Sequence, residues 1–230
     1  LLTPVAGLIM QSVGVLLVLV ELGLLAQALF YAGIAFILIT GWLNTFNFMD
    51  GINGISVLYA GSVLTGVYLF RDSIPDIQLS LIYAVGLSLV VFGWFNVRNN
   101  AMAFAGDVGS LSMGLILAYF VSSLILSTGR WEFVLFLSVY GVDSVLTIMH
   151  RIKNGENIFE AHRSHLYQYL ANEMKWSHLI VSFNYSLFQL MVIVGLFFID
   201  KDKWTLYSVS ILTILTILYT SSKTYILKRI

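Results

Sequence analysis

The sequence predicts an all-α polytopic membrane protein, with about eight transmembrane helices in one membrane domain that covers residues 1–230. Of the 230 residues, 59% are hydrophobic and only 10% are charged, whereas a soluble domain carries about 25% charged residues. Most windows of about 20 residues are long and apolar enough to span a bilayer. The apolar runs are continuous, whereas strands of a membrane barrel alternate in hydrophobicity over about ten residues, so helices are expected.

Turn residues and charges divide the chain into eight apolar segments, and each segment is predicted to be a helix. The segments cover residues 5–25, 28–46, 53–70, 77–95, 108–127, 131–150, 179–199 and 203–222. Charged, Gly-containing or Asn-containing stretches break the apolar pattern between them, because such residues favour turns and are costly in hydrocarbon. These separators are residues 21–23, 47–53, 71–76, 96–109, 127–130, 151–177 and 200–203.

Eight crossings would place every unusual polar stretch on one side of the membrane. Residues 47–53, 96–109 and 151–177 and the C-terminal tail then share a face, on which eight Lys and Arg residues lie, against four on the other face. Because basic residues are enriched in cytoplasmic loops, the first face is expected to be cytoplasmic. Polar clusters that are far apart in sequence could therefore form one site.

Charge and cysteine content exclude several classes of function. The formal net charge is zero, so no basic surface points to nucleic acid. The chain has no cysteine, which excludes disulfides, cysteine metal sites and thiol catalysis.

The first polar block is NTFNFMDGINGIS, residues 44–56. Asn44, Asn47 and Asp50 recur every three residues, so neighbouring members lie close together on one face of a helix. Oxygen ligands of this kind suit Mg²⁺, which is usually held by one or two protein groups plus substrate phosphates. The alternative is helix packing through Asn hydrogen bonds and a close glycine crossing. A carboxylate at the membrane edge favours a functional site, because intramembrane ionisable groups are costly.

The second block is AFAGDVGSLSMG, residues 103–114. Asp107 lies in a glycine-rich turn, and Ser110 is expected to cap the helix that follows. A helix N-terminus favours phosphate, and an aspartate beside it can hold the metal that bridges the phosphates. Phe104 could stack on a flat base. The alternative is a glycine-rich turn with an ordinary N-cap.

The third block, HRIKNGENIFEAHRSHLYQYL at residues 150–170, lies in the long polar loop 151–177 and contains three of the four histidines. Arginine binds phosphate oxygens bidentately, and histidine can donate a hydrogen bond or carry a proton. One alternative is a solvated, charged loop, which explains the histidine clustering poorly. Another is a zinc site at His162 and His165, for which no third ligand has suitable spacing.

Two further acidic residues lie within the apolar segment 131–150. Asp143 is expected to be structural and to pair with Arg151 or Arg98, with contact to a substrate as the alternative. Glu132 falls on the opposite face and is expected to be solvated.

Together the three blocks resemble the polyprenyl-phosphate N-acetylhexosamine-1-phosphate transferase family (glycosyltransferase family 4). This family includes the phospho-N-acetylmuramoyl-pentapeptide transferases and the GlcNAc-1-phosphate transferases. The matching motifs are N-x-x-N-x-x-D-G-I-N-G at 44–54, G-D-x-G-S-x-x-x-G at 106–114 and H-R…F-x-x-H-R-x-H at 150–165. Their order, spacing and shared side make the resemblance specific, and the hydrophobic pattern agrees over almost the whole chain.

The resemblance implies a bundle of ten or eleven transmembrane helices with a cytoplasmic cleft, in the bacterial inner (plasma) membrane. The implied reaction is transfer of a sugar-1-phosphate from a UDP-amino sugar to polyprenyl (undecaprenyl) phosphate, with release of UMP. Mg²⁺ is the implied cofactor, with Mn²⁺ as an alternative. The implied partners are both substrates and the lipid bilayer, and a homodimer is left open.

The resemblance also implies roles for residues of the first two blocks. Asp107 is expected to bind Mg²⁺, helped by Asn47. Phe104 and Asn53 are expected to hold the uracil.

The remaining implied roles concern the phosphates and the sugar. Asn44 and Asp50 are expected to line the diphosphate site, and the third block to contact the sugar-phosphate portion. The candidate catalytic residues are Asp50, Asp107, His162, Arg163 and His165.

Two departures from the family pattern stand out. The family carries an aspartate pair on a cytoplasmic loop before the helix that opens this chain, and that pair is missing here, so the chain is expected to be a fragment. Residues 99–101 are Asn-Asn-Ala, where many relatives have a proline before the alanine. This difference concerns the shape of the loop and leaves the metal site unaffected.

The narrower expectation is a UDP-GlcNAc donor, or a similar 2-acetamido sugar such as a FucNAc or QuiNAc donor, in cell-surface polysaccharide synthesis. The alternatives are a phospho-MurNAc-pentapeptide transferase, an inactive relative with a scaffolding role, and an ion-coupled transporter. A carrier would place its polar residues near the bilayer midplane, whereas here they gather at one face.

Overall fold

The computed structural model describes residues 4–27, 29–75, 77–157 and 163–229, and these ranges contain no β-strand. The α-helices are α1 Pro4–Glu21, α2 Leu24–Gln27, α3 Leu29–Met49, α4 Ile55–Leu69, α5 Ile77–Asn96, α6 Gly106–Thr128, α7 Ser138–Lys153, α8 Leu166–Gln168, α9 His178–Phe198 and α10 Trp204–Leu227. Shorter helical turns are the 3-10 stretches Arg71–Ser73, Trp131–Leu137 and Lys201–Lys203 and the π-helical turn Tyr169–Glu173. Each predicted apolar segment contains a helix, which confirms the all-α class.

Length and hydropathy identify a polytopic membrane protein. Among the described residues, six helical stretches are long and apolar enough to cross a membrane, namely Leu29–Met49, Gln78–Asn96, Gly106–Thr128, Trp131–Lys153, His178–Phe198 and Lys201–Leu227. Gly7–Glu21 and Ile55–Leu69 are apolar but shorter. At about 1.5 Å per residue, the 15 residues of α4 span about 22 Å, less than the roughly 30 Å hydrocarbon core. Eight complete crossings therefore stay a prediction.

Helix α4 lies at the centre of the bundle and packs most extensively against α9, with α5 and α6 on its other sides. Its buried face includes Tyr59, Val63 and Val67. A Cβ on Gly66 would press against Ile193 and Phe136. The absence of a side chain at Gly66 therefore permits the close approach of α4 and α9.

One buried polar group, the side-chain amide of Gln189 in α9, connects four helical elements in this core. The amide oxygen of Gln189 accepts hydrogen bonds from the Tyr59 hydroxyl at 2.8 Å and the Val139 N–H at 3.1 Å, and its nitrogen donates to the Leu135 carbonyl at 2.8 Å. The Tyr59 ring stacks on Tyr140 with centroids 3.6 Å apart. Both polar atoms of the amide are hydrogen-bonded, which offsets the cost of burying it in an apolar core.

At the end of the bundle that holds the α4–α5 turn, aromatic rings and one buried carboxylate meet α10. Phe70 lies edge-on to Trp204, with centroids 5.8 Å apart. Glu132 is only 1% exposed, and its Oε1 accepts a hydrogen bond from Thr205 at 2.8 Å. The expectation that Glu132 is solvated is wrong, because the 3-10 stretch Trp131–Leu137 places it against α10.

The opposite end of the bundle collects all three polar blocks. The C-terminal ends of α3, α5, α7 and α10 lie there with the N-terminal ends of α4, α6 and α9. The predicted loop 151–177 is partly helical, since it contains α8 and the π-helical turn that follows. Residues 158–162, which include His162, lie outside the described residues.

Candidate functional site

The first two blocks are in direct contact through Asn47, in the last turn of α3. Its Nδ2 donates to Asp107 Oδ1 at 3.2 Å and to Ser110 Oγ at 2.8 Å. Asn44, one turn earlier, donates to the carbonyl of Thr40 in its own helix at 2.9 Å. The packing of α3 against α6 therefore brings Asn47 to Asp107, while Asn44 bonds within α3.

The second block forms the start of α6. Gly106 begins the helix with a left-handed φ of 59°, a conformation that glycine adopts without steric cost. Asp107 follows in the first turn and is exposed. Ser110 was expected to be the N-cap, and this is wrong: the helix starts earlier, Ala105 holds the N-cap position, and the buried Ser110 hydroxyl donates to the Gly106 carbonyl at 2.8 Å.

The loop between α5 and α6 is fixed to the first block by two asparagines. Asn96 accepts the Gly54 N–H through Oδ1 and donates to the Ala103 carbonyl through Nδ2, both at 2.8 Å. The Asn53 amide donates to the carbonyls of Arg98 at 2.9 Å and Asn99 at 3.0 Å. The role of Asn96 was not predicted, because in the sequence this residue has the pattern of an ordinary polar helix end.

Phe104 projects from the end of this loop. Its side chain is 72% exposed, although an aromatic ring of this size is usually buried. A free ring beside Asp107 can stack on a flat ligand.

The third block reaches the first through Tyr167. This side chain is fully buried, and its hydroxyl donates to the Phe48 carbonyl at 2.9 Å. The hydroxyl also lies against Gly51, where no Cβ would fit. Burial raises the pKa of Tyr167 well above its usual range, so the hydroxyl stays a donor.

Two predicted site residues of the third block are described, and their environments differ. Arg163 is exposed, whereas His165 is only 1% exposed. His165 Nδ1 lies 3.1 Å from Asp143 Oδ1. The same carboxylate accepts hydrogen bonds from the Leu166 N–H at 3.1 Å and the Tyr185 hydroxyl at 2.6 Å.

Asp143 was expected to pair with Arg151 or Arg98, and this is wrong. Arg151 bonds to Glu156 Oε2 at 3.0 Å and to the carbonyl of Asn157 at 2.7 Å. Arg98 lies over the Trp94 ring, 5.2 Å from its centroid. The described partners of Asp143 are a histidine, the hydroxyls of Tyr185 and Thr147 and a backbone N–H, which sequence separation alone does not reveal.

The electrostatics of the site centre on two carboxylates. Burial raises the pKa of Asp50, the hydrogen bond from Ser56 at 2.6 Å lowers it, and the nearby carboxylate of Asp107 raises it further. A bound cation reduces the repulsion between two neighbouring carboxylates of this kind. Among the described residues no group of three or more His, Cys, Asp or Glu side chains could hold a metal ion. Two carboxylates with an adjacent amide nevertheless fit Mg²⁺, which takes one or two protein carboxylates plus substrate phosphates.

The arrangement therefore combines four chemical elements at one end of the bundle. They are a pair of carboxylates, a helix N-terminus that favours anions, a free aromatic ring and an exposed arginine. The backbone segments that carry these groups are joined by hydrogen bonds from the side chains of Asn53, Asn96 and Tyr167.

Comparison with known proteins identifies a family and several relatives. Residues 1–125 match the model of a family described as glycosyl transferase family 4. A phospho-N-acetylmuramoyl-pentapeptide-transferase of Lactococcus lactis subsp. cremoris (strain MG1363) is 30% identical over 123 residues, which is 53% of this chain and 36% of the relative. A protein of the same name from Streptococcus agalactiae serotype Ia is 32% identical over 118 residues, which is 50% of this chain and 34% of the relative. Another, from Francisella tularensis subsp. novicida, is 27% identical over 150 residues, which is 55% of this chain and 40% of the relative. The chain thus matches less than half the length of each of these relatives.

Proposed function

The chain belongs to glycosyl transferase family 4, and we propose on that basis that it transfers a sugar-1-phosphate from a UDP-amino sugar to a polyprenyl phosphate. An oxygen of the lipid phosphate attacks the β-phosphorus of the donor. The bond from that phosphorus to the bridging oxygen breaks, and UMP leaves. The products are a polyprenyl-diphosphate-sugar and UMP.

The observation that carries this proposal is the contact between Asn47 and Asp107, 3.2 Å apart and 60 residues apart in sequence, with Asp50 close by. Phosphoryl transfer requires oxygen ligands for a divalent cation beside a phosphate site. Asp107 and Asp50, with Asn47, are the residues that would hold Mg²⁺ or Mn²⁺. When bound, the cation neutralises the diphosphate and the charge that develops on transfer.

The other site residues bind and orient the nucleotide sugar. Phe104 stacks on the uracil, and Asn53 maintains the loop that carries Phe104. The first turn of α6 directs its N–H groups toward a phosphate. Arg163 pairs with the sugar-phosphate portion, together with His162. The protein contributes mostly alignment and electrostatic stabilisation.

The location in the membrane follows from the acceptor. The phosphate of a polyprenyl lipid lies at the interface while its tail stays in the bilayer, and the polar end of the bundle offers exposed Asp107 and Arg163 there. We propose that this end faces the cytoplasm of a bacterial inner membrane, since the basic residues concentrate on it. Asp50 and Asp107 lie close together at one end of the bundle, which fits a transferase better than a carrier with a midplane site.

Two donors remain candidates, each for a different reason. The spacing H-R…H-R-x-H favours UDP-GlcNAc or another 2-acetamido sugar, the first step of an envelope polysaccharide. The names of the relatives favour transfer of phospho-MurNAc-pentapeptide, with UDP-MurNAc-pentapeptide as the donor, in peptidoglycan synthesis. The two donors share the UDP and diphosphate groups, so they would use the same metal and base contacts.

The direct test is turnover by the complete gene product in membranes supplied with undecaprenyl phosphate and Mg²⁺. UDP-GlcNAc and UDP-MurNAc-pentapeptide are offered separately, and UMP release and label in the lipid extract are measured. We expect one donor to give both products, and Asp107→Asn to abolish them. Asp202→Asn, an exposed carboxylate at the other end of the bundle, is the matched control and should keep full activity. Absence of UMP with every UDP-amino sugar, or an active Asp107→Asn protein, would contradict the proposal.

A further inference from the structure

A buried lysine on the last helix contacts the backbone of the third block. Lys223 of α10 is only 5% exposed. Its Nζ donates to the Ser164 carbonyl at 2.9 Å and to the Tyr219 hydroxyl at 2.8 Å. Burying an ammonium group is costly unless its hydrogens are bonded and a counter-charge is near, so this placement requires compensation.

A chain of hydroxyls supplies that compensation by connecting Lys223 to Asp143. The Tyr219 and Thr147 hydroxyls lie 2.6 Å apart, and Thr147 Oγ1 donates to Asp143 Oδ1 at 3.2 Å. An ammonium can only donate and a carboxylate accepts. Since Tyr219 accepts from Lys223, its hydroxyl donates to Thr147. The Thr147 hydroxyl in turn has two acceptors, Asp143 Oδ1 at 3.2 Å and the Ser164 carbonyl at 3.4 Å.

The two charged ends of this chain hold the same short segment. Lys223 binds the carbonyl of Ser164, and Asp143 binds the side chain of His165 and the N–H of Leu166. Three consecutive residues are thus bonded between α7 and α10. Arg163 precedes them directly and is exposed, so its position depends on the segment that follows it.

We propose that Lys223 is a positioning residue that fixes Ser164–Leu166 and thereby presents Arg163 to the phosphate portion of the sugar donor. This inference rests on the proposed function for the identity of the ligand. Loss of Lys223 releases the segment and weakens donor binding. Since Arg163 contacts the donor before and during the transfer, the loss acts on KM and leaves kcat largely unchanged.

The first arm of the test needs no activity. Hydrogen exchange of the complete gene product in detergent micelles is measured for peptides covering 163–169 and for peptides of α4 and α9. We expect Lys223→Met to speed exchange in 163–169 by about tenfold or more, the factor for a lost hydrogen bond to a charged group. Exchange in α4 and α9 should not change. Lys228→Met, which removes an exposed lysine of the same helix end, is the matched control.

A milder variant protects this test against misfolding. Tyr219→Phe keeps both charges and the ring but removes one hydroxyl of the chain, so we expect faster exchange in 163–169 than in the unchanged protein and slower than in Lys223→Met. Unchanged exchange in 163–169 for both variants, or equal acceleration throughout α4 and α9, would overturn the inference.

The second arm uses turnover. We expect Lys223→Met to raise the KM for the UDP-sugar by about tenfold while kcat stays within about threefold. A loss confined to kcat would contradict the positioning role. If the unchanged protein turns over no UDP-sugar, the proposed function fails, while the exchange measurement still decides whether Lys223 fixes the segment.

Discussion

Replacing Gly51 by alanine tests the contact between the first and third blocks. A Cβ at this position would overlap the Tyr167 hydroxyl and lie 3.1 Å from Cζ and 3.2 Å from Cε2 of the same ring. Tyr167 is fully buried and donates to the Phe48 carbonyl, so its ring cannot move without breaking that bond. Gly51 does not adopt a positive φ, and the backbone therefore accepts alanine. A loss of stability in Gly51→Ala would therefore report steric overlap and not backbone strain.

The expected destabilisation follows from two contributions. Loss of the Tyr167 hydrogen bond costs about 1 kcal/mol, and overpacking of a well-packed site costs about 1–3 kcal/mol. Gly51→Ala should therefore lower the free energy of unfolding by about 2–4 kcal/mol. Equilibrium unfolding in mixed micelles with increasing SDS measures this difference.

A double-mutant cycle shows whether Tyr167 is the cause. Tyr167→Phe removes the overlapping oxygen, so the double variant with Gly51→Ala should be more stable than the sum of the single effects by about 1–2 kcal/mol. Gly61→Ala in α4 is the control, because nothing lies within 4 Å of its added Cβ. Strict additivity, or a Gly51→Ala protein as stable as the control, would refute the packing argument.

Three further predictions concern the site itself. The pKa of Asp50 is raised by burial and by Asp107. The stability of the metal-free protein should therefore fall as pH rises from the ordinary aspartate range through the raised pKa. Asp50→Asn should flatten this part of the profile of Tm against pH, and an unchanged profile would contradict this role of Asp50. Phe104→Ala should raise the KM for the UDP-sugar by about 5–100-fold without lowering Tm, whereas Val108→Ala, whose side chain is equally exposed at 72%, should leave KM unchanged. Asn47→Ala should lower turnover by about tenfold or more by releasing Asp107, and full activity would exclude that role.

Local patterns predicted the helices and the candidate polar blocks. Continuous apolar runs mark a membrane helix by themselves, and each of the eight predicted segments contains a helix. The i, i+3 spacing of Asn47 and Asp50 and the Gly-Asp-x-Gly pattern around Asp107 are also local. The assignment of the blocks to one face predicted that they lie together, and the pairing of Asn47 with Asp107 was implied by the family resemblance. The metal and substrate roles of these residues stay predictions.

The remaining features depend on tertiary packing, which local patterns do not contain. Asp143 was matched to arginines because opposite charges are the simplest partners, yet its carboxylate bonds to neutral donors and to His165. In the sequence, Tyr167 is an ordinary amphipathic residue. Its contact with Gly51 is visible only in the folded structure. Ser110 was misassigned because the left-handed Gly106 starts the helix earlier than the hydropathy pattern suggests.

The three polar blocks are assigned to one side of the membrane, and cysteine labelling just before the second block and within the third tests this assignment most directly. The chain has no cysteine of its own, so Met102→Cys, Arg163→Cys and Asp202→Cys each give a single reactive site. An impermeant maleimide is added to right-side-out and to inverted membrane vesicles. We predict that positions 102 and 163 react only in inverted vesicles and position 202 only in right-side-out vesicles. Reaction of positions 102 and 163 from opposite sides would contradict the account.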